Sequence, residues 1–302
     1  VRDMIDTADT IKTVRLSDNS VIRSWWLEGR VDSIDVNQID GSIVTSESNV
    51  DGQYLGRVTI YPQNISPLFS DTVYITSVSR GGDLNYTLDS RFDYIRRKIW
   101  IADSGNHRVI KLNGDNYSTD VISDDLFYYP HSVAVNFNNG GVFVKAYNDL
   151  SMSGVSVYYL GSRGEEKVKF SVNNILGNSS SSSSSSSVGN SDSSSSSSME
   201  ENSSSSSGSI SLPDMPHSRS MVFDYVRSRL WWVSGSKINL LDVRGKQVQV
   251  YDLRIDGYFS TRTVDVDLNT GNPFIVASDI HDKWFLVQMN RDNNKYLGFV
   301  TI

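Results

Sequence analysis

The chain has 302 residues, a formal net charge of −7 and no cysteine, so disulfide support and thiol chemistry are both excluded. An acidic balance without a basic stripe argues against nucleic acid as a partner. No apolar run is long enough to cross a bilayer as a helix, so no membrane insertion is expected, and no secretory signal is read in the sequence.

In chain order, the first strand-like runs are Thr10–Arg15 and Val21–Trp26. They read as the last two strands of a four-stranded unit whose first two are missing. This predicts a partial amino-terminal unit over 1–30, or a chain that is a fragment of a longer protein. From there a short phrase recurs five times: an Asp or Asn ends an apolar stretch, a turn follows, and a run of Ile, Val, Leu or Trp resumes. The anchors are Asn37, Asp93, Asn136, Asp224 and Asp267. Their spacing is roughly 56, 43, 88 and 43 residues, and the long interval holds a serine tract, which leaves units of blade size. A short Asp or Asn side chain accepts backbone N–H bonds just ahead of it, so the anchors are predicted turn formers and not catalytic carboxylates.

In the second unit the strands are expected at Asn85–Tyr94, 99–102, 108–112 and 120–122. The fourth repeats them at 230–233, 237–241 and 247–251, and the fifth runs from Val264 to Ile302. These are β-branched and aromatic runs bounded by Gly, Asn, Asp and Ser, with no sustained helical period. The expected fold is all-β: a single β-propeller over 1–302 with five to six four-stranded blades. Residues 178–209 form a serine-rich insertion with almost nothing apolar to bury, predicted to be a disordered spacer.

The stretch Ile99-Trp100-Ile101-Ala102-Asp103-Ser104-Gly105-Asn106-His107-Arg108-Val109 resembles the central phrase of an NHL repeat. The other repeats keep only the anchor and the strand pattern. The resemblance implies a propeller fold, and for Asn106, His107 and Arg108 a role in the turn and in blade packing.

Two histidines stand in matching phrases, Tyr129-Pro130-His131-Ser132 and Met215-Pro216-His217-Ser218, each just before an inner strand. Such positions open toward one mouth of the central channel, where ligands and metals collect in propellers. Two imidazoles hold a divalent ion if a third ligand arrives from another blade. The phrase also resembles the Pro-His-Ser of propeller lyases, which implies a channel metal. The equivalent positions elsewhere carry Asp32 and Ser33, Asp89 and Ser90, or Ser260 and Thr261. His131, His217, Asp32 and Asp89 are therefore the candidate ligand set, with His131 and His217 as metal ligands. Glu47, Asp103 and Asp279 fall just past second strands and would line one face if calcium bound there. No Gly-x-Ser-x-Gly elbow and no phosphate-cradling glycine loop is present.

Trp25-Trp26 and Trp231-Trp232 are adjacent in strands, so their rings face opposite sides and are expected in the core. The sequence thus reads as a non-enzymatic interaction or scaffold module with no cofactor, holding a protein or glycan partner. A serine spacer suits an extracellular, cell-surface or virion assembly of which the chain is one subunit. The alternatives are a metal-dependent lyase or hydrolase at His131 and His217, and a carbohydrate-binding propeller that uses edge tryptophans.

Overall fold

The computed structural model describes residues 10–14, 21–26, 31–48, 55–62, 72–123, 127–152, 154–164, 167–171, 220–243, 247–258, 260–292 and 296–301. The serine-rich segment 178–209 lies outside them, as does His217. Among the described residues, strands β1 (Thr10–Val14) and β2 (Val21–Trp26) pair only with each other. Five four-stranded antiparallel sheets follow, and together they form a β-propeller. Blade one comprises β3 (Val31–Val36), β4 (Ile43–Glu47), β5 (Arg57–Tyr61) and β6 (Val73–Ile75). A small hairpin, β7 (Ser77–Val78) with β8 (Gly82–Asp83), leads to blade two: β9 (Thr87–Asp93), β10 (Lys98–Asp103), β11 (Arg108–Asn113) and β12 (Thr119–Ser123). Blade three has β13 (Tyr128–Asn136), β14 (Gly141–Tyr147), β15 (Val155–Leu160) and β16 (Lys167–Ser171). Blade four has β17 (Met221–Asp224), β18 (Arg229–Ser234), β19 (Lys237–Asp242) and β20 (Gln247–Asp252). Blade five has β21 (Ser260–Val266), β22 (Pro273–Ser278), β23 (Trp284–Met289) and β24 (Tyr296–Thr301). Among the described residues the ring therefore holds five complete blades, and the partial amino-terminal unit is a two-stranded sheet.

The anchors close the turn between first and second strands. Asn37, Asn136 and Asp267 accept the backbone N–H two residues on, from Ile39, Asn138 and Asn269. Asp93 and Asp224 accept one residue later, from Arg96 and Arg227. The fourth residue past every anchor is left-handed: Gly41 (φ 70), Arg97 (φ 54), Gly140 (φ 76), Ser228 (φ 57) and Gly271 (φ 77). Gly140 and Gly271 carry a second constraint. A Cβ there would stand 2.7 Å from Arg96 Cδ and 2.6 Å from Arg227 Nε. Those arginines reach over from the preceding blade, where each pairs with its own anchor acid and donates to a carbonyl of the next turn, Phe137 O or Leu268 O. Asn138 does the same between blades three and four by donating to Tyr225 O. Adjacent turns are thus tied together from blade two to blade five.

Unbroken apolar strands follow from the architecture, because blades two to four are each covered on both faces. Ile99 and Ile101 join the core between blades one and two, with Val44, Ile60 and Phe92. Trp100 and Ala102, one residue on, join the core between blades two and three, with Val133 and Val144. Phe143, Val157, Phe223 and Trp232 fill the next interface, and Trp231, Ile238, Val264 and Ile275 the one after. The innermost strands β3, β9, β13, β17 and β21 lie successively side by side. They carry Asp32, Asp89 and His131.

Candidate channel site

An inner strand has a free edge, so its unpaired N–H groups need partners. Side chains from the preceding blade supply them. Ser33 Oγ accepts from Ser90 N at 3.2 Å, Asp35 Oδ2 from Phe92 N at 2.9 Å, and Asp89 Oδ2 from Val133 N at 2.9 Å. Asp89 also accepts the Ser132 hydroxyl at 3.0 Å and lies 3.4 Å from Arg91 Nε. Arg91 donates to Val133 O and Ile34 O and stands 3.7 Å from Asp35, so one guanidinium bridges three inner strands.

Asp89 is fully buried, and its carboxylate holds the two residues that follow His131. His131 is also fully buried, and neither ring nitrogen has a hydrogen-bond partner among the described residues. Its ring lies 5.6 Å from that of Tyr147. Asp32 sits at the second position of β3, half-buried. His217 lies outside the described residues. Among the described residues no three His, Asp or Glu side chains converge as metal ligands. The structure thus brings Asp89 beside the Pro-His-Ser segment but assembles no metal set from His131, Asp32 and Asp89.

The NHL-like phrase is structural here. Asp103 closes β10, and its carboxylate accepts from Asn85 N at 2.8 Å, Asn106 Nδ2 at 2.9 Å and Arg108 Nε at 2.6 Å. Arg108 then donates to Gly81 O and Asp83 O, which pins the β7–β8 hairpin to the blade. Ser104 Oγ donates to Pro130 O, and His107 Nδ1 accepts from Tyr129 N at 3.2 Å. The phrase of blade two therefore seats the Pro-His-Ser segment of blade three. Glu47 repeats the acid–arginine clasp in blade one: it accepts from Arg57 Nε at 2.7 Å and from the Thr45 and Thr59 hydroxyls. Asp279 instead caps an exposed turn through His281 N and Lys283 N. Glu47, Asp103 and Asp279 do not come together as a metal site.

Sequence reasoning missed Lys145 and Arg91. Lys145 interrupts the apolar run of β14, whose residues are all buried. Its ammonium donates to Ser220 Oγ and Val233 O, both at 3.0 Å, and so joins blade three to blade four. A lone cation inside a strand buried on both faces was the available signal. Burial pushes the Lys145 amine down to about 7. Burial, and then the charge of Lys145, holds His131 well below the ordinary imidazole value. Both groups bind a proton more readily once unfolded. For Lys145 the uncompensated window runs from about 7 to its ordinary value of 10.5, and for His131 it lies below 6.5. Stability therefore rises with pH across both windows. Chemical denaturation should find the chain more stable at alkaline than at neutral pH by on the order of 2 kcal/mol. Lys145→Met should flatten that rise, and an unchanged slope in the variant would rule Lys145 out as its source.

At the turn end the channel opens into a cavity of ≈ 100 Å³. Equivalent positions of all five blades line it. Two residues before each anchor stand Asp35, Arg91, Ala134, Val222 and Asp265, and one residue after it stand Gln38, Tyr94, Phe137, Tyr225 and Leu268. The Tyr94 and Phe137 ring centroids are 4.4 Å apart, and those of Phe137 and Tyr225 are 5.2 Å apart. Burial, followed by hydrogen bonding with Tyr225, pushes the Tyr94 phenol up to about 12, so it stays neutral.

No protein-family model matches the sequence, and no curated protein matches it. Among solved structures the chain is similar to one from the crystal structure of a nidogen/laminin complex. The identity is 11% and the TM-score 0.60, over 97% of this chain and 90% of that one. At that identity the likeness is one of fold alone, and the fold is a β-propeller with five four-stranded blades.

Proposed function

We propose that the chain is a non-catalytic interaction propeller with NHL-like blades, holding a protein partner within an extracellular, cell-surface or virion assembly. The observation that carries this reading is the use made of the channel acid. Asp89, the carboxylate nearest the Pro-His-Ser segment, is spent on Ser132, Val133 and Arg91. The acids that end β4 and β10 are likewise spent on Arg57 and Arg108. Groups so engaged hold strands and blades together. The solved structure it resembles comes from a protein–protein complex, and the serine tract suits a spacer in an assembly. The assembly and its location rest on composition.

One observation favours a metal-dependent lyase or hydrolase as a second reading: both His131 nitrogens lack a hydrogen-bond partner among the described residues. Elemental analysis of the purified, chelator-free protein separates the two. The interaction reading expects no stoichiometric metal, in the wild type or in the His131→Ala, His217→Ala double variant. About one transition ion per chain, lost in the double variant, would replace it with the metal reading. A glycan platform of edge tryptophans finds no support at Trp100, Trp231 or Trp232, which are all buried.

A further inference from the structure

The turns that ring the channel mouth break the rule that tight-turn tips are polar. The second residue past the anchor is Asn138 in blade three and Asn269 in blade five, as turn chemistry favours. In the other three blades it is Ile39, Ile95 or Val226, with 72%, 54% and 56% of its surface exposed. Val36, just before an anchor, is 46% exposed at the same end. Three β-branched side chains at one equivalent position cost solubility and contribute nothing to the blade cores. Local rules broken at matched positions around one opening mark a contact surface.

The mouth inside this crown has a defined chemistry. It is lined by Tyr94, Phe137 and Tyr225 and by half-buried Asp35 and exposed Asp265, with Arg91 as the one cation among the described lining residues. Arg91 is itself in ion pairs with Asp35 and Asp89. The arginines of the surrounding turns, Arg96, Arg97 and Arg227, are paired with Asp93, Asp115 and Asp224. The described lining residues therefore carry a net negative charge beside aromatic rings, an environment that attracts a cation. The bonds from Arg96, Asn138 and Arg227 to neighbouring turns hold the crown in shape before any partner arrives.

We propose that this face docks a protein partner by taking one of its lysine or arginine side chains into the channel mouth while Ile39, Ile95 and Val226 cover apolar residues beside it. The inference rests on the interaction reading above and names its surface and the partner's chemistry.

A positional-scanning hexapeptide library displayed on beads, probed with the full chain, tests it. Retained peptides are expected to carry a Lys or Arg flanked by apolar residues. The triple variant Ile39→Ser, Ile95→Ser, Val226→Ser is expected to lose about ten-fold in retention. All three side chains are exposed, so its denaturation midpoint should match the wild type. Asp265→Asn should weaken the preference for a cation and leave the apolar preference in place. Retention without regard to charge, or equal retention by the triple variant, overturns the proposal and leaves the interaction reading standing. No retention of any peptide overturns it too, and the metal analysis above then decides the broader reading on its own.

Discussion

Asp103→Ala is expected to remove about 3–5 kcal/mol of folding stability, because it leaves the buried Arg108 guanidinium facing an empty space. Asp103 is fully buried and Arg108 nearly so, with 2.6 Å between them. Burial pushes the Asp103 carboxyl up against the pull of Asn106, Asn85 and Arg108, so desolvation outweighs the attraction of its partners. The clasp is thus a poor source of net stability yet expensive to break on one side. The consequence is a non-additive pair. Asp103→Leu combined with Arg108→Met should recover much of what either single replacement loses, although the ties from Arg108 to Gly81 and Asp83 are gone. Urea denaturation of the singles and the double measures this directly. A single-mutant loss below about 1 kcal/mol would mean that the pair is solvated after all.

Trp231→Ala and Trp232→Ala should each cost about 3–5 kcal/mol, the range for emptying a large core site. The rings are 1% and 2% exposed, and although adjacent in β18 they enter different cores. Trp231 packs with Ile238, Val264 and Ile275 between blades four and five, and Trp232 with Phe143, Val157 and Phe223 between blades three and four. Since the two cavities share no lining, the losses should add in the double variant within a few tenths of a kcal/mol, for as long as the chain still folds. A strongly sub-additive pair would place the rings in one common core. A near-silent Trp231→Ala would return that ring to the surface, where a sugar platform needs it.

The parts of this molecule that were legible in the sequence are the local ones. An anchor Asp or Asn bonds to an N–H two or three residues on, so the phrase from Asp93 to Lys98 carries its whole instruction within itself. The same holds for the strand pattern of blade four, where 230–233 and 237–241 fall inside β18 and β19. The NHL-like phrase also foretold its own role, since Asp103, Asn106 and Arg108 bond to one another across only a few positions.

What sequence reading could not reach is long-range. Glu47 and Asp103 looked like candidates for a shared calcium face, but each meets an arginine that its own blade's antiparallel register places directly opposite. Asp89 looked like a spare ligand, but its carboxylate serves a backbone N–H 44 residues further on. Arg91 gave no sign of itself, because its partners Ile34 and Val133 lie on the neighbouring blades on either side. The sequence by itself determined the turns and the strands, since each depends on bonds that close within one blade, and left the blade number at five or six. Only the tertiary structure decided the chemistry of the channel. There, residues from separate repeats meet at free strand edges, and which carboxylate is consumed and which mouth is left apolar depends on how the blades are set around the ring.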